Sequence, residues 1–235
     1  VTDVNQATQT LLGIGLYTPA EAGLLIGVRP RKLRRWLHGY QIGERHYQPL
    51  WHPQVDLGDD KVYLGFRDML EARVASEFIE AGLSPQRVRR AIEIAQSIVG
   101  ERPLSTEWLK TDGRSVFLQI ANEDPEIEPQ CLDLFRNQYA FARIVRESLR
   151  DIEFTDKLPN LWWPQGQRAG VLIDPHRSFG KPIEHETSVP AEQLANAAIA
   201  EGSVEHAARV WDVPVRAVKR AVAFQKQLAA SALAA

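Results

Sequence analysis

Two stretches of this chain, residues 18–36 and 203–221, follow one template 185 positions apart. Thr18 and Ser203 are hydroxyl residues suited to cap a helix, Ala22 and Ala207 are small, Leu25 and Val210 are apolar, and Gly27-Val28 is answered by Asp212-Val213. Beyond the turn Leu33 matches Val218, and Arg34-Arg35 matches Lys219-Arg220. A cap, a short helix with a small inward residue, a tight turn, an apolar plug and a second helix with outward cations make a helix-turn-helix. The small residue lets the two helices cross closely, the plug anchors the turn, and the second helix presents polar side chains to a DNA major groove.

The copies differ in charge. Residues 26–45 hold Arg29, Arg31, Lys32, Arg34, Arg35 and Arg45 against one acid, Glu44. Around the second copy Arg209, Arg216, Lys219 and Arg220 face Glu201, Glu205 and Asp212. Phosphate attraction scales with the number of neutralised contacts, so the first copy is the expected DNA reader. Its expected DNA-binding residues are Thr18, Arg29, Arg31, Lys32, Arg34 and Arg35, joined by Arg45 and His46. Arg216, Lys219 and Arg220 form a second DNA-binding set. Neighbouring residues on a helix stand about 100° apart, so some of these cations read bases and others hold phosphates.

The first copy opens with a capping box, Thr18-Pro19-Ala20-Glu21, and Pro30 opens its second helix. Residues 46–51 and 61–64, either side of a polar turn at 56–60, read as a hairpin that forms a wing beside the recognition helix. Helical periodicity follows over 66–81 and again after Ser84-Pro85. Ser115–Ile120 reads as a buried strand, 122–129 as an acidic, proline-punctuated loop and 131–149 as a helix. Short strands are expected at 152–154, 161–163 and 170–175, a loop at 176–190, and helix from Ala191 to the end. Residues 1–16 carry few structural signals and read as a short arm. The fold class expected is mainly α with small β elements. A winged helix-turn-helix spans 1–95, an α+β middle region 96–165, and a domain with the second helix-turn-helix 166–235.

Composition narrows the function classes. The 235 residues carry a net charge of −2, so nucleic-acid binding must come from local patches rather than a polycationic surface. No apolar run approaches the roughly 20 residues of a membrane span, and no signal peptide is expected. The first residue is Val rather than Met, which reads as a start lying upstream. With one cysteine, Cys131, neither an internal disulfide nor a cysteine metal cluster is open to it. The expected compartment is the cytoplasm.

Tyr17-Thr18-Pro19-Ala20-Glu21-Ala22, Ile26-Gly27-Val28 and Leu33-Arg34-Arg35-Trp36 resemble the winged helix-turn-helix of MerR-type regulators. Tyr63-Leu64-Gly65-Phe66-Arg67-Asp68-Met69-Leu70-Glu71, Ala81-Gly82-Leu83-Ser84 and Val88-Arg89-Arg90-Ala91 are similar to that fold's continuation beyond the wing. Near the other end, Ile173-Asp174-Pro175, Phe179-Gly180-Lys181-Pro182-Ile183 and Thr187-Ser188-Val189-Pro190 resemble a small domain of VapB-type antitoxins, often encoded beside PIN-domain toxins. Its signature reads Gly-x-Pro-x-Ile, then Gly-Thr-Arg-Ile/Val-Pro. Here Ser188 stands in place of the Arg and Glu186 in place of the Gly. The resemblance implies a non-enzymatic antitoxin that silences a PIN-type ribonuclease toxin and represses its own operon on double-stranded operator DNA. Trp162, Trp163, Arg177 and Lys181 are the candidate toxin contacts. A homodimer is expected, since one short recognition helix covers few base pairs and two-fold pairing on a palindrome extends the contact.

Other chemistries find little support. The six histidines, at 38, 46, 52, 176, 185 and 206, show no His-x3-His spacing, and Glu184-His185-Glu186 is read as neighbours that diverge in a loop. Cys131 reads as a packed side chain, and Asp59, Asp60, Asp68 and Glu71 as a turn tip and a first helical turn. No metal, cofactor or catalytic residue is expected, and no phosphate-binding glycine motif occurs. The rival readings are a ligand-responsive MerR-like transcriptional regulator with the middle region as effector domain, and a hydrolase or nuclease with a DNA-targeting module.

Overall fold

The computed structural model describes residues 13–59, 61–123 and 136–234. The chain is mainly helical with small antiparallel sheets, and it divides into two compact units. One comprises residues 18–150 and 154–159; the other comprises 151–153 and 160–235 together with the residues up to Tyr17. Cys131, Asp60, residues 1–12 of the expected arm, 124–129 of the expected acidic loop and the first part of the helix expected over 131–149 lie outside the described residues, while 122 and 123 are helical rather than loop. No described helix is long and apolar enough to cross a membrane.

In the first unit α1 (Pro19–Ile26) and α2 (Pro30–His38) are followed by β1 (Tyr40–Ile42) and β2 (Arg45–Tyr47). The hairpin differs from the expected one. It closes through Gly43-Glu44, with Gly43 at φ 58, and pairs Tyr40 with Tyr47. Residues 48–55 are instead pinned down by their side chains and backbone. Leu50 and Trp51 are buried, the Leu50 N–H donates to the Trp36 carbonyl at 2.6 Å, and the Trp51 indole donates to Asp68 at 3.1 Å. Pro49 and Pro53 offer no N–H to a ladder.

The longer helices α3 (Phe66–Glu80) and α4 (Pro85–Val99) stand where periodicity places them, with the Ser84 hydroxyl capping α4. After a short turn of helix α5 (Trp108–Thr111) comes α6 (Gly113–Glu123), where the sequence reading expected a strand at Ser115–Ile120. Val116, Phe117 and Ile120 are buried while Ser115 and Gln119 are exposed, a one-sided helical pattern rather than a strand alternation. Phe117 stacks on Phe78 of α3 at 4.4 Å between ring centroids, and Phe141 of α7 (Gln138–Ser148) completes the cluster at 5.5 and 5.8 Å.

Two buried carboxylates organise this unit. Asp68 is fully buried and accepts hydrogen bonds from the N–H groups of Gln54 and Gly65, and from Arg102 Nε at 2.7 Å. Glu71 is also fully buried and accepts from the N–H groups of Leu104 at 3.2 Å and Ser105 at 2.8 Å. Burial outweighs those two bonds and pushes its carboxyl up to about 8.

The hairpin strands β3 (Ile152–Thr155) and β4 (Leu158–Trp162) follow. In the second unit Trp162 bridges Ile173, and β5 (Val171–Leu172) pairs antiparallel with β6 (Ile183–Glu184). The expected loop at 176–190 therefore contains a strand. Three helices close the unit: α8 (Ala191–Ala200), α9 (Val204–Val210) and α10 (Val215–Ala234). Ala191 and Leu194 of α8 and Ala217, Val218, Ala221 and Phe224 of α10 are buried, and the alanines among them permit close helix packing. The Leu16 N–H donates to the Phe179 carbonyl at 3.1 Å, and the Tyr17 hydroxyl donates to the Gly180 carbonyl at 2.6 Å. Residues 16 and 17 are thus tied into this unit rather than forming a free arm.

Candidate nucleic-acid interface

The Thr18 hydroxyl accepts from the Glu21 N–H at 3.2 Å, while the Glu21 carboxylate reaches back to the Thr18 N–H at 2.8 Å. Pro19 sets the first helical residue, and Gly27 ends α1 at φ 72. The Val28 N–H then donates to the Gly23 carbonyl at 3.0 Å. A Cβ on Gly23 would lie 2.3 Å from the Val28 oxygen, so this turn requires glycine there. Val28 is buried as the plug, and Pro30 starts α2.

Leu33, Trp36 and Leu37 form the buried side of α2, which leaves Arg31, Arg34 and His38 exposed and Lys32 and Arg35 half-buried. Lys32 Nζ lies 3.8 Å from Glu80 and 4.8 Å from the centre of the Trp36 ring. The Arg35 guanidinium lies over Tyr40 at 4.8 Å, and Tyr40 stacks on Tyr47 at 4.6 Å with planes 7° apart. The hairpin and recognition helix are therefore joined by an Arg-Tyr-Tyr stack. Arg89 of α4 donates to the carbonyls of Pro49 at 2.9 Å and Gln48 at 2.7 Å, which fastens the segment leaving β2.

A cleft of about 440 Å³ lies on one side of α2, lined by Arg29, Arg31, Lys32, Arg35, Tyr47 and Arg89 among others, with no carboxylate among the described residues of its wall. A second, of about 600 Å³, is lined in part by Arg31, Arg34, Arg35, His38, Lys61 and Tyr63. His38, Lys61, Tyr63 and Arg89 were not among the expected DNA contacts. His38 ends α2 itself, while Lys61 and Tyr63 are brought beside it by the loop before α3 and Arg89 by α4. Thr18, Arg29, Arg31 and Arg34 are exposed on α1 and α2 or the turn between them, and Arg45 and His46 are exposed on β2. All eight residues of the first expected set belong to one unit. The Thr18 hydroxyl is committed to the cap.

The second copy repeats this geometry closely. Ser203 caps α9 through the His206 N–H at 3.1 Å, the Val213 N–H donates to the Ala208 carbonyl at 3.0 Å, and Asp212 adopts φ 50 where the first copy has Gly27. Its cations are in a different condition. Arg216 pairs with Glu186 at 2.8 Å, Lys219 with Glu205 at 3.8 Å, and Arg220 with both Glu184 at 2.9 Å and Glu186 at 2.8 Å. These bonds hold the Glu186 carboxyl below its usual range, through Arg220 first and Arg216 second.

The sequence reading of Glu184-His185-Glu186 as diverging neighbours is corrected here, because one ligand atom of each lies within 4.8 Å of the others. The guanidinium of Arg220 draws them together. It reaches both carboxylates and lies 3.5 Å from His185 Nδ1, so a cation already occupies the middle of the cluster. Glu184 is fully buried and also accepts from the N–H groups of Glu186 and Thr187. Gly170, at φ 72, clears the way: a Cβ there would meet Arg220 Cδ at 2.6 Å.

The candidate partner contacts are distributed unevenly. Trp162 is 2% exposed and packs inside the second unit, whereas its neighbour Trp163 is half-buried and donates its indole N–H to Glu153 at 2.8 Å. Arg177 is held by Asp174 at 2.7 Å and donates to the Ser188 hydroxyl at 3.0 Å, and Lys181 is exposed.

No family model matches the chain. Among curated proteins it is similar to "Putative antitoxin VapB45" of Mycobacterium tuberculosis (strain ATCC 25618 / H37Rv), with 29% identity over 196 residues, covering 76% of this chain and 80% of that protein. Among solved structures it is similar to the crystal structure of Rv2018 from Mycobacterium tuberculosis. That likeness has a TM-score of 0.69 and 27% identity, and covers 90% of this chain and 99% of that one.

Proposed function

We propose that this chain is a non-enzymatic, VapB-like antitoxin of a cytoplasmic toxin–antitoxin pair, and that it represses its own operon through the first helix-turn-helix. The observation that carries the reading is the likeness to an antitoxin over three quarters of the chain, joined to a recognition helix flanked by two basic clefts. In this reading α2 lies in the major groove of operator DNA, with Arg31 and Arg34 towards the bases. Arg29, Arg35, Arg45 and His46 hold the flanking phosphates, and Lys32, tethered to Glu80, supports the backbone contact. A homodimer places two such helices on a palindrome. The toxin is a PIN-type ribonuclease, engaged by Trp163, Arg177 and Lys181 of the second unit, with Trp162 supporting Trp163 from inside.

The test is coexpression with the protein encoded beside this chain's gene. Rescue of growth, a co-purifying complex and specific binding to the upstream DNA are expected. A neighbouring product that is harmless alone, or one whose toxicity the chain leaves unchanged, would sink the proposal.

A further inference from the structure

The exposed side of α7 carries a line of cations that no step above uses. Tyr139, Arg143 and Arg146 recur at spacings of four and three, which places them along one face of α7, and Arg136 and Arg150 flank the helix just outside its two ends. All five are exposed, and Tyr139 is 88% accessible. The opposite face, Phe141, Val145 and Leu149, is buried. Across 136–150 four arginines stand against one acid, Glu147, which pairs with Arg150 at 3.2 Å. Arg136, Arg143 and Arg146 form no ion pair with any described residue. Arg73 of α3 donates to the carbonyls of Glu147 at 3.0 Å and Arg150 at 3.5 Å, so the end of the helix is fastened and the stripe is presented on a rigid support.

We propose that this arginine–tyrosine stripe docks a protein partner whose facing surface is a carboxylate-lined groove. The inference rests on the reading that the chain works against a partner protein, and adds a contact surface in the first unit. The charge pattern selects the occupant. A second copy of the same face would set arginines against arginines, so self-association through it is disfavoured. Guanidiniums match carboxylates bidentately, and an exposed aromatic ring among arginines is the composition of an interface hot spot. The DNA-reading role already has its own cations on α2 and the hairpin. The helical part of the stripe, Tyr139 to Arg146, is about 10 Å long at 1.5 Å per residue, a length that one protein groove accommodates.

The full-length chain is coexpressed with the protein encoded beside its gene, as wild type, as Arg143→Glu/Arg146→Glu and as Tyr139→Ala. Both changes lie on exposed positions, and thermal melts matching wild type confirm folding. The double charge reversal is expected to weaken the complex roughly 30-fold or more, to flatten its salt dependence and to abolish growth rescue. Tyr139→Ala is expected to weaken it about tenfold with the salt dependence kept. Operator DNA affinity is unchanged in both. If wild type rescues and the charge reversal rescues equally, the docking surface is overturned while the antitoxin reading stands. If the reversal keeps the partner but loses operator affinity, the stripe faces DNA and the proposal is overturned. If wild type itself neither binds nor rescues, the antitoxin reading falls and takes this assignment with it.

Discussion

The two helix-turn-helix copies share their backbone chemistry and part company in their charges. In both, a hydroxyl caps the first helix, a left-handed residue turns the chain, and the residue after it donates to a carbonyl five positions back. In the first copy Arg31 and Arg34 line clefts whose described walls hold no carboxylate. In the second, every cation of the recognition position is closed onto a glutamate. A motif therefore specifies a shape, and the acids supplied by the surrounding fold set how much of its cationic charge stays unpaired. The interiors differ too. Position 36 is a buried Trp in the first copy, and its counterpart, Ala221, is a buried Ala against α8.

The largest effect tests that interior difference. Trp36→Ala removes a buried ring and its contact with Lys32, at a cost of roughly 3–5 kcal/mol. Calorimetry should show the first unit melting early or not folding, while the transition of the second unit stays in place. A single transition moving as a whole would show that the copies are not independent in stability.

Next comes the glutamate that neutralises the second copy. Glu184→Ala strands the N–H groups of Glu186 and Thr187 and leaves Arg220 with Glu186 alone, costing about 1–3 kcal/mol. It also loosens Arg220 from the cluster, so the isolated difference between the copies should shrink: non-specific DNA affinity at low salt should rise in a titration. Loss of stability with no gain in DNA affinity would show that pairing is not what silences the second copy.

A pH effect separates the units without touching either helix-turn-helix. The Glu71 carboxyl is raised by burial to about 8, from an ordinary value of 4.5. Between those values the folded chain holds a proton that the unfolded chain has released, so stability falls as pH rises through that window and levels off above it. The first unit should melt lower at pH 8 than at pH 5, and Glu71→Gln should flatten the dependence. An unchanged slope in that variant would assign the effect to other groups.

What could be read in the sequence was whatever local chemistry decides. Thr18, Pro19, Glu21 and Gly27 specify the first helix and its stop within ten residues, and Ser203 does the same for α9. Ser115–Ile120 misled because a short apolar run suits a buried strand and a helix face equally until its exposed positions are known. The hairpin register depended on Gly43 and on the Tyr40–Tyr47 stack, while Trp51, at the end of the first expected strand, and the His52 and Gln54 that follow it are held by Asp68 and Arg102 from far along the chain. The neutralised second copy was hidden for the same reason, since Glu186 and Arg216 are 30 positions apart. Trp162 ends β4 and is buried, while Trp163, the next residue beyond the strand, is left partly exposed. The arginine–tyrosine stripe on α7 was present in the spacing of Tyr139, Arg143 and Arg146, a signal visible only once the opposite face is known to be buried.

The smallest effects give the sharpest test of the comparison. Arg34→Ala removes one exposed cation from the first copy and disturbs no buried group, so folding should be unaffected. If Arg34 reads a base, operator affinity falls by about 1–3 kcal/mol and specificity relaxes at one position. If it holds a phosphate, all DNA is weakened alike and the salt slope drops by about 1. Arg216→Ala is the matched change in the second copy. Its guanidinium is already bound to Glu186 at 2.8 Å, so no counterion release depends on it, and both affinity and slope should equal wild type. Operator titrations at several salt concentrations, run on both variants, measure the difference directly. Equal losses at Arg34 and Arg216 would mean that DNA outcompetes the glutamate, and that both copies bind it. A loss at Arg216 alone would transfer the reading role to the second copy and leave the basic clefts beside α2 without a use.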